Sequence, residues 1–115
     1  MIGETLMPIG RFSKSCRLSI KALRHYDEQG LLRPAHVDPQ TGYRYYTRGQ
    51  AREAVLIGML RSLGIGVPAV REILNAGSEH CADLLAREEA RVARELARTQ
   101  ASLHSLRRLL RERSL

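Results

Sequence analysis

Lys21, Arg24, His25 and Tyr26 carry hydrogen-bonding heads within six residues and at helical spacing. Arginine and lysine can donate to the acceptor edge of guanine or to a phosphate, and a tyrosine hydroxyl commonly bonds phosphate. A second group lies in Tyr43-Arg44-Tyr45-Tyr46, where one guanidinium stands among three aromatic rings. Arg44 and Tyr45 are its candidates for backbone contact. Ser13, Lys14, Arg17 and Ser19, just ahead of the first group, and Arg61 further on are weaker candidates for the same work. These residue types bind rather than break bonds. No Gly-x-Ser-x-Gly elbow, phosphate loop or His-Glu-x-x-His pair is present, and His25, His36, His80 and His104 are scattered, so no enzyme and no cofactor is expected.

The elements that must hold these side chains are legible around them. Ser19 is a good N-cap, and Ile20 and Leu23 give the following helix an apolar back while Lys21, Arg24 and His25 form its front. Gly30 stands where a left-handed residue would stop that helix. Ile9 to Cys16 carries Ile9, Phe12 and Cys16 at helical intervals, and the short Arg17-Leu18 link joins the two helices into a helix-turn-helix, whose second helix fits a major groove. Packing beneath the following hairpin is the other reading of Tyr26, and an ion pair with Glu28 the other reading of Arg24.

Residues 33–37 and 43–47 read as two strands around the turn Asp38-Pro39-Gln40-Thr41-Gly42, with Pro34 on an edge. Thr47 is placed to cap a third helix over residues 48–63, with Ala51, Ala54, Val55, Ile57, Gly58, Met59 and Leu63 as its apolar face. Arg61, near its end, can serve a phosphate or stabilise the negative helix terminus. Pro68 opens a fourth helix through Ala76, with Val70, Ile73 and Leu74 inward. From Ser78 to Arg113 there is neither Pro nor Gly, and Leu85, Val92, Leu96, Leu103, Leu106 and Leu110 follow four- and three-residue steps, with Thr99 filling one gap and Glu89 interrupting the seam, so that its strongest part is Val92 to Leu110. At about 1.5 Å per residue this helix runs roughly 50 Å. Its apolar seam predicts a coiled-coil dimer interface, with packing on a further domain as the alternative.

The run Ile9-Gly10, Ser19 to Tyr26, Gly30-Leu31-Leu32 and Tyr43-Arg44-Tyr45-Tyr46 resembles the DNA-binding domain of MerR-type bacterial transcription regulators, over roughly Pro8 to Ala76. The resemblance implies a homodimer on double-stranded DNA. Its two heads would read an inverted repeat and distort a promoter for RNA polymerase, with the long helices antiparallel. His25 stands where the family usually has Tyr, a departure that alters donor geometry and base preference. Cys81, after His80, matches the sensor cysteine of metal-responsive members, yet the sequence to Leu115 lacks their cysteine-bearing loop. The wing sequence looks more like the branch with a ligand-binding C-terminal domain. An absent effector domain is therefore expected, and metal sensing through Cys81 is kept as an alternative.

Composition agrees. The net charge is +7 over 115 residues. Residues 9–64 hold ten Lys or Arg against four Asp or Glu, and residues 65–115 hold nine against seven, so the positive field belongs to the helix-turn-helix half. Two distant cysteines, Cys16 and Cys81, make no disulfide framework, and no run is apolar enough for a membrane, so a cytoplasmic protein is expected. The predicted fold is mostly α: a loose leader (1–7), a winged helix-turn-helix head with a small hairpin (8–76), and a dimerisation helix (78–115). A non-specific architectural DNA-binding module and a coiled-coil adaptor are the rival readings.

Overall fold

The computed structural model describes residues 5–114. In chain order they form β1 (Leu6–Pro8), α1 (Ile9–Cys16), α2 (Ile20–Glu28), β2 (His36–Val37), β3 (Arg44–Thr47), α3 (Gln50–Ser62), α4 (Val67–Asn75) and α5 (Ser78–Arg113). The chain divides into two units, 1–71 and 72–115, with the division inside α4.

In the first unit the helix-turn-helix follows the expected lines. α1 spans the expected residues and buries Phe12 and Cys16. α2 is capped by the Ser19 hydroxyl, which accepts from the Ala22 N–H at 3.0 Å. Just past its end, Gly30 takes φ +70°, a conformation that costs a residue with a Cβ but not glycine. The inward face differs from expectation. Leu23 and Tyr26 are buried, whereas Ile20 is exposed. Successive i, i+3 positions drift about 60° around a helix, so once Leu23 and Tyr26 face the core, Ile20 is carried to the flank.

The hairpin acquires a strand that the pattern did not suggest. β3 lies in the middle of a three-stranded antiparallel sheet, with β2 on one side and β1 on the other. β1 pairs Leu6 with Thr47, Met7 with Tyr46 and Pro8 with Tyr45. The expected leader therefore loses Leu6 and Met7 to the sheet, and its residues 1–4 lie outside the described residues. A three-residue strand ending in proline has no periodicity to read, and its partner is forty residues away. The outer strand β2 is two residues rather than five, and Pro34 precedes it. The turn forms as read: Asp38 Oδ1 accepts from the Gln40 N–H at 2.8 Å and the Thr41 N–H at 3.3 Å, and Gly42 takes φ +74°. The two backbone donors hold the Asp38 carboxyl below its usual range.

Tyr46, at the centre of β3, is fully buried and stacks on Phe12 with ring centroids 4.4 Å apart and planes within 8°. The core around this pair includes Leu23, Tyr26, Leu31, Leu32, Ala54, Ile57, Leu60, Ile65 and Val70. Each fully buried aliphatic side chain contributes about 1.5–3 kcal/mol. The Tyr46 hydroxyl is buried without a hydrogen-bond partner among the described residues, and burial raises its pKa. Burial likewise raises that of the Cys16 thiol, which donates to the Phe12 carbonyl at 3.1 Å.

α3 corrects two expectations. It begins at Gln50, and Thr47 does not cap it; instead Gln50 Oε1 accepts from the Thr47 N–H at 3.0 Å while its Nε2 donates to the Arg33 carbonyl at 2.7 Å. Gly49 takes the cap position, so the Thr47 hydroxyl lies two residues too far back along the chain to reach the first-turn amides. The helix is inward at Ala54, Ile57 and Leu60, leaving Val55, Leu56, Met59 and Leu63 exposed. Apolar residues surround this helix on most sides, so periodicity alone does not choose the packed face. Gly58 lies against Leu18, whose Cδ2 stands 2.8 Å from where a Cβ would be. α4 begins at Val67, one residue before the expected start at Pro68. Val70 and Ile73 are buried and Leu74 half-buried.

In the second unit α5 runs for 36 residues without a break. Leu84 is buried, while Leu96, Leu103, Leu106, Leu109 and Leu110 are 51–56% exposed. Arg91 bridges Glu88 at 2.7 Å and Glu95 at 2.8 Å along one face. No helix among the described residues is long and apolar enough to cross a membrane.

Candidate nucleic-acid interface

The link between α1 and α2 is built from backbone strain and two hydrogen bonds. Arg17 holds φ 57° and ψ 36°, a left-handed conformation unusual for a residue with a side chain. The Leu18 N–H donates to the Ser13 carbonyl at 3.2 Å, and the Ser13 hydroxyl donates to the Leu18 carbonyl. Ser13 and Ser19 thus have their hydroxyls engaged in closing the turn and capping α2. Lys14 and Arg17 are exposed beside them.

α2 presents Lys21, Arg24 and His25 as an exposed row. Among the described residues neither Lys21 nor Arg24 makes an ion pair within 4.0 Å, so the alternative pairing of Arg24 with Glu28 is not formed. Ile20 borders this row and lines a shallow depression with Lys21, Arg24, His25 and Glu28. Sequence reasoning assigned it to the core; its position instead offers an apolar contact of the kind a thymine methyl accepts. Tyr26 is only 6% exposed, and its ring belongs to the core.

The wing stands next to that row. An open cavity of about 230 Å³ is lined by Arg24 from α2, Pro8 from the end of β1, Ile9 from the start of α1, and Gly42, Tyr43, Arg44 and Tyr45 from the wing. Tyr43 is exposed and Tyr45 half-buried, the latter opposite His36 across the ladder with ring centroids 6.0 Å apart. Arg44 is more constrained than expected of a wing-tip cation. Its Nε donates to Asp27 Oδ2 at 3.0 Å, which ties β3 to the last turn of α2.

Two other arginines work within the head. Arg61 Nη1 donates to the Ile65 carbonyl at 2.8 Å and closes the chain beyond α3. Arg71 donates to the Gln29 carbonyl past the end of α2. No sequence signal singled out Arg71 or Asp27, because each acts through a partner seventeen or more residues away. Cys81 is half-buried, and among the described residues no group of three or more His, Cys, Asp or Glu side chains could hold a metal ion.

Residues 7–77 match the family described as MerR HTH family regulatory protein. The chain belongs to the MerR family. It is 36% identical over 93 residues to the multidrug-efflux transporter 1 regulator of Bacillus subtilis, covering 81% of this chain and 34% of that protein. It is 33% identical over 104 residues to the HTH-type transcriptional regulator CueR of Salmonella typhi, covering 88% and 74%. The chain thus spans about a third of the first of these MerR relatives and about three quarters of the second. Among solved structures it resembles the cryo-EM structure of the EcmrR–DNA complex in EcmrR-RPo, with a TM-score of 0.80, 30% identity, and 92% of this chain and 39% of that one covered. The N-terminal part of MtaN, the Bacillus subtilis multidrug transporter activator, shares the fold at a TM-score of 0.75 and 20% identity over 90% of this chain and 97% of that one.

Proposed function

We propose that this MerR-family chain is a sequence-specific DNA-binding transcription regulator that acts as a homodimer in the cytoplasm. The observation that carries the reading is the exposed row Lys21, Arg24 and His25 on α2, whose Arg24 lines one open cavity together with Arg44 and Tyr45 of the wing. α2 enters the major groove, where Arg24 reads base edges and Lys21 and His25 flank it, with Ile20 as an apolar neighbour. Lys14, Arg17, Arg44 and Tyr45 hold the sugar–phosphate backbone, and the Tyr26 hydroxyl adds at most one phosphate contact. Arg61 serves the fold more than the DNA, given its bond to Ile65.

The exposed leucines of α5 support pairing of two copies through Leu85, Val92, Leu96, Thr99, Leu103, Leu106 and Leu110, so that one long helix pair sets the spacing of two heads. The dimer distorts an inverted-repeat promoter and acts there on RNA polymerase. Selection of bound sites from a random duplex pool at physiological salt is the test. An inverted repeat of fixed spacing is expected. Binding without any recovered motif would replace this reading with an architectural one, and absence of binding would leave the coiled-coil adaptor. On the selected duplex, Arg24→Ala should lose discrimination between sites at a cost of about 1–3 kcal/mol, whereas Arg44→Ala should weaken all duplexes and lower the salt slope by about one.

A further inference from the structure

The acidic side chain that links the proposed recognition row to the wing is Asp27, in the last turn of α2, half-buried where its neighbour Glu28 is exposed. A carboxylate there lies at the negative end of the helix dipole, where it is disfavoured unless cations surround it. Its surroundings supply them. Arg44 Nε stands 3.0 Å from Oδ2 and Arg33 Nη1 4.0 Å from Oδ1. The two arginines differ in kind. Arg33 is 74% exposed and its contact is long, whereas Asp27 and Arg44 are only 17% and 34% exposed and share a direct hydrogen bond.

We infer that Asp27 is a positioning residue for DNA binding: by taking the Nε edge of Arg44 it aims the rest of that guanidinium into the groove beside Arg24, and so locks the wing in register with α2. This rests on the DNA-binding reading above. The geometry of arginine makes the argument. Its donors form a rigid planar fork, so fixing the Nε edge on the protein fixes the direction of both terminal amino groups. Arg44 sits on the central strand, opposite Val37 of β2, and the next residues along that strand pair with β1. The bond to Asp27 therefore anchors the whole sheet to α2, and the backbone contact of the wing and the base contacts of α2 become one rigid unit.

The inference makes a prediction opposite in sign to simple charge counting. Removing a negative charge from a DNA-facing surface should strengthen binding to a polyanion. If Asp27 instead positions Arg44, Asp27→Asn should weaken binding although the chain becomes more positive. The experiment measures affinity of the whole chain for a fluorescein-labelled duplex recovered by the selection above, for wild type, Asp27→Asn, Arg44→Ala and the double variant. Each is measured well below its own unfolding temperature, so that lost stability does not enter.

Asp27→Asn is expected to lose on the order of tenfold in affinity, and to lose less than about twofold when Arg44 is already alanine, because the two act as one. Unchanged or tighter binding by Asp27→Asn, or an equal loss in both backgrounds, would overturn the inference while wild-type binding left the DNA-binding reading intact. A wild-type chain that binds no duplex would remove both.

Discussion

The two units of this chain treat leucine in opposite ways. Among the described residues of the first unit the large apolar side chains mostly find partners within the unit, and Phe12, Leu23, Tyr46, Ile57, Ile65 and Val70 are fully buried. In residues 72–115 the helix α5 leaves five leucines about half exposed. The head carries both helical and strand periodicity and closes a core on itself. α5 has only one seam, and a single helix cannot bury its own stripe. The difference separates stability that belongs to one chain from stability that must come from association.

Truncation should break that contrast open. Phe12→Ala removes half of the stack with Tyr46 and should cost about 3–5 kcal/mol, enough to unfold the head, read by denaturant titration. Retention of most of the head's stability would mean that the core is not organised around that pair. Leu103→Ala should remove about 2 kcal/mol per copy from association and leave the head folded. Sedimentation at several concentrations would register it as a weakened dimer, and an unchanged association constant would exclude this seam.

Smaller changes sharpen the picture within the head. Ser19→Ala should lose about 1 kcal/mol through the uncapped α2, seen as a lower thermal midpoint. Tyr46→Phe should gain about 1 kcal/mol, since it deletes a buried hydroxyl that lacks a partner among the described residues; a loss of that size would reveal a hydrogen bond to water or to a shifted side chain. The same residue, with Cys16, predicts alkaline sensitivity. Burial raises both pKa values in the folded state, so the unfolded chain releases these protons first as pH rises. Stability is then full below about pH 9 and falls above it, and Tyr46→Phe should flatten the upper part of that fall.

Much of the fold was readable because its signals are local. The bounds of α1, the Ser19 cap, the Gly30 stop and the Asp38–Gly42 turn each depend on residues within a few positions of one another. The candidate DNA face was readable for the same reason, since Lys21, Arg24 and His25 share one helix and Arg44 and Tyr45 one strand. What escaped were matters of partner choice: β1 against β3, Gln50 in place of a Thr47 cap, and Ile20 turned outward.

The amino-acid order by itself determined the helix-turn-helix, the hairpin turn, the basic row and the long uninterrupted helix. Hydrogen bonding, capping and periodicity act over one or two turns of chain. Tertiary structure alone decided that Arg44 is held by Asp27, that Arg71 reaches the end of α2, and which side of α3, whose apolar residues are spread around it, is buried. Those outcomes depend on which surfaces meet after collapse, and a guanidinium carries no mark in the sequence of the carboxylate or carbonyl it will find.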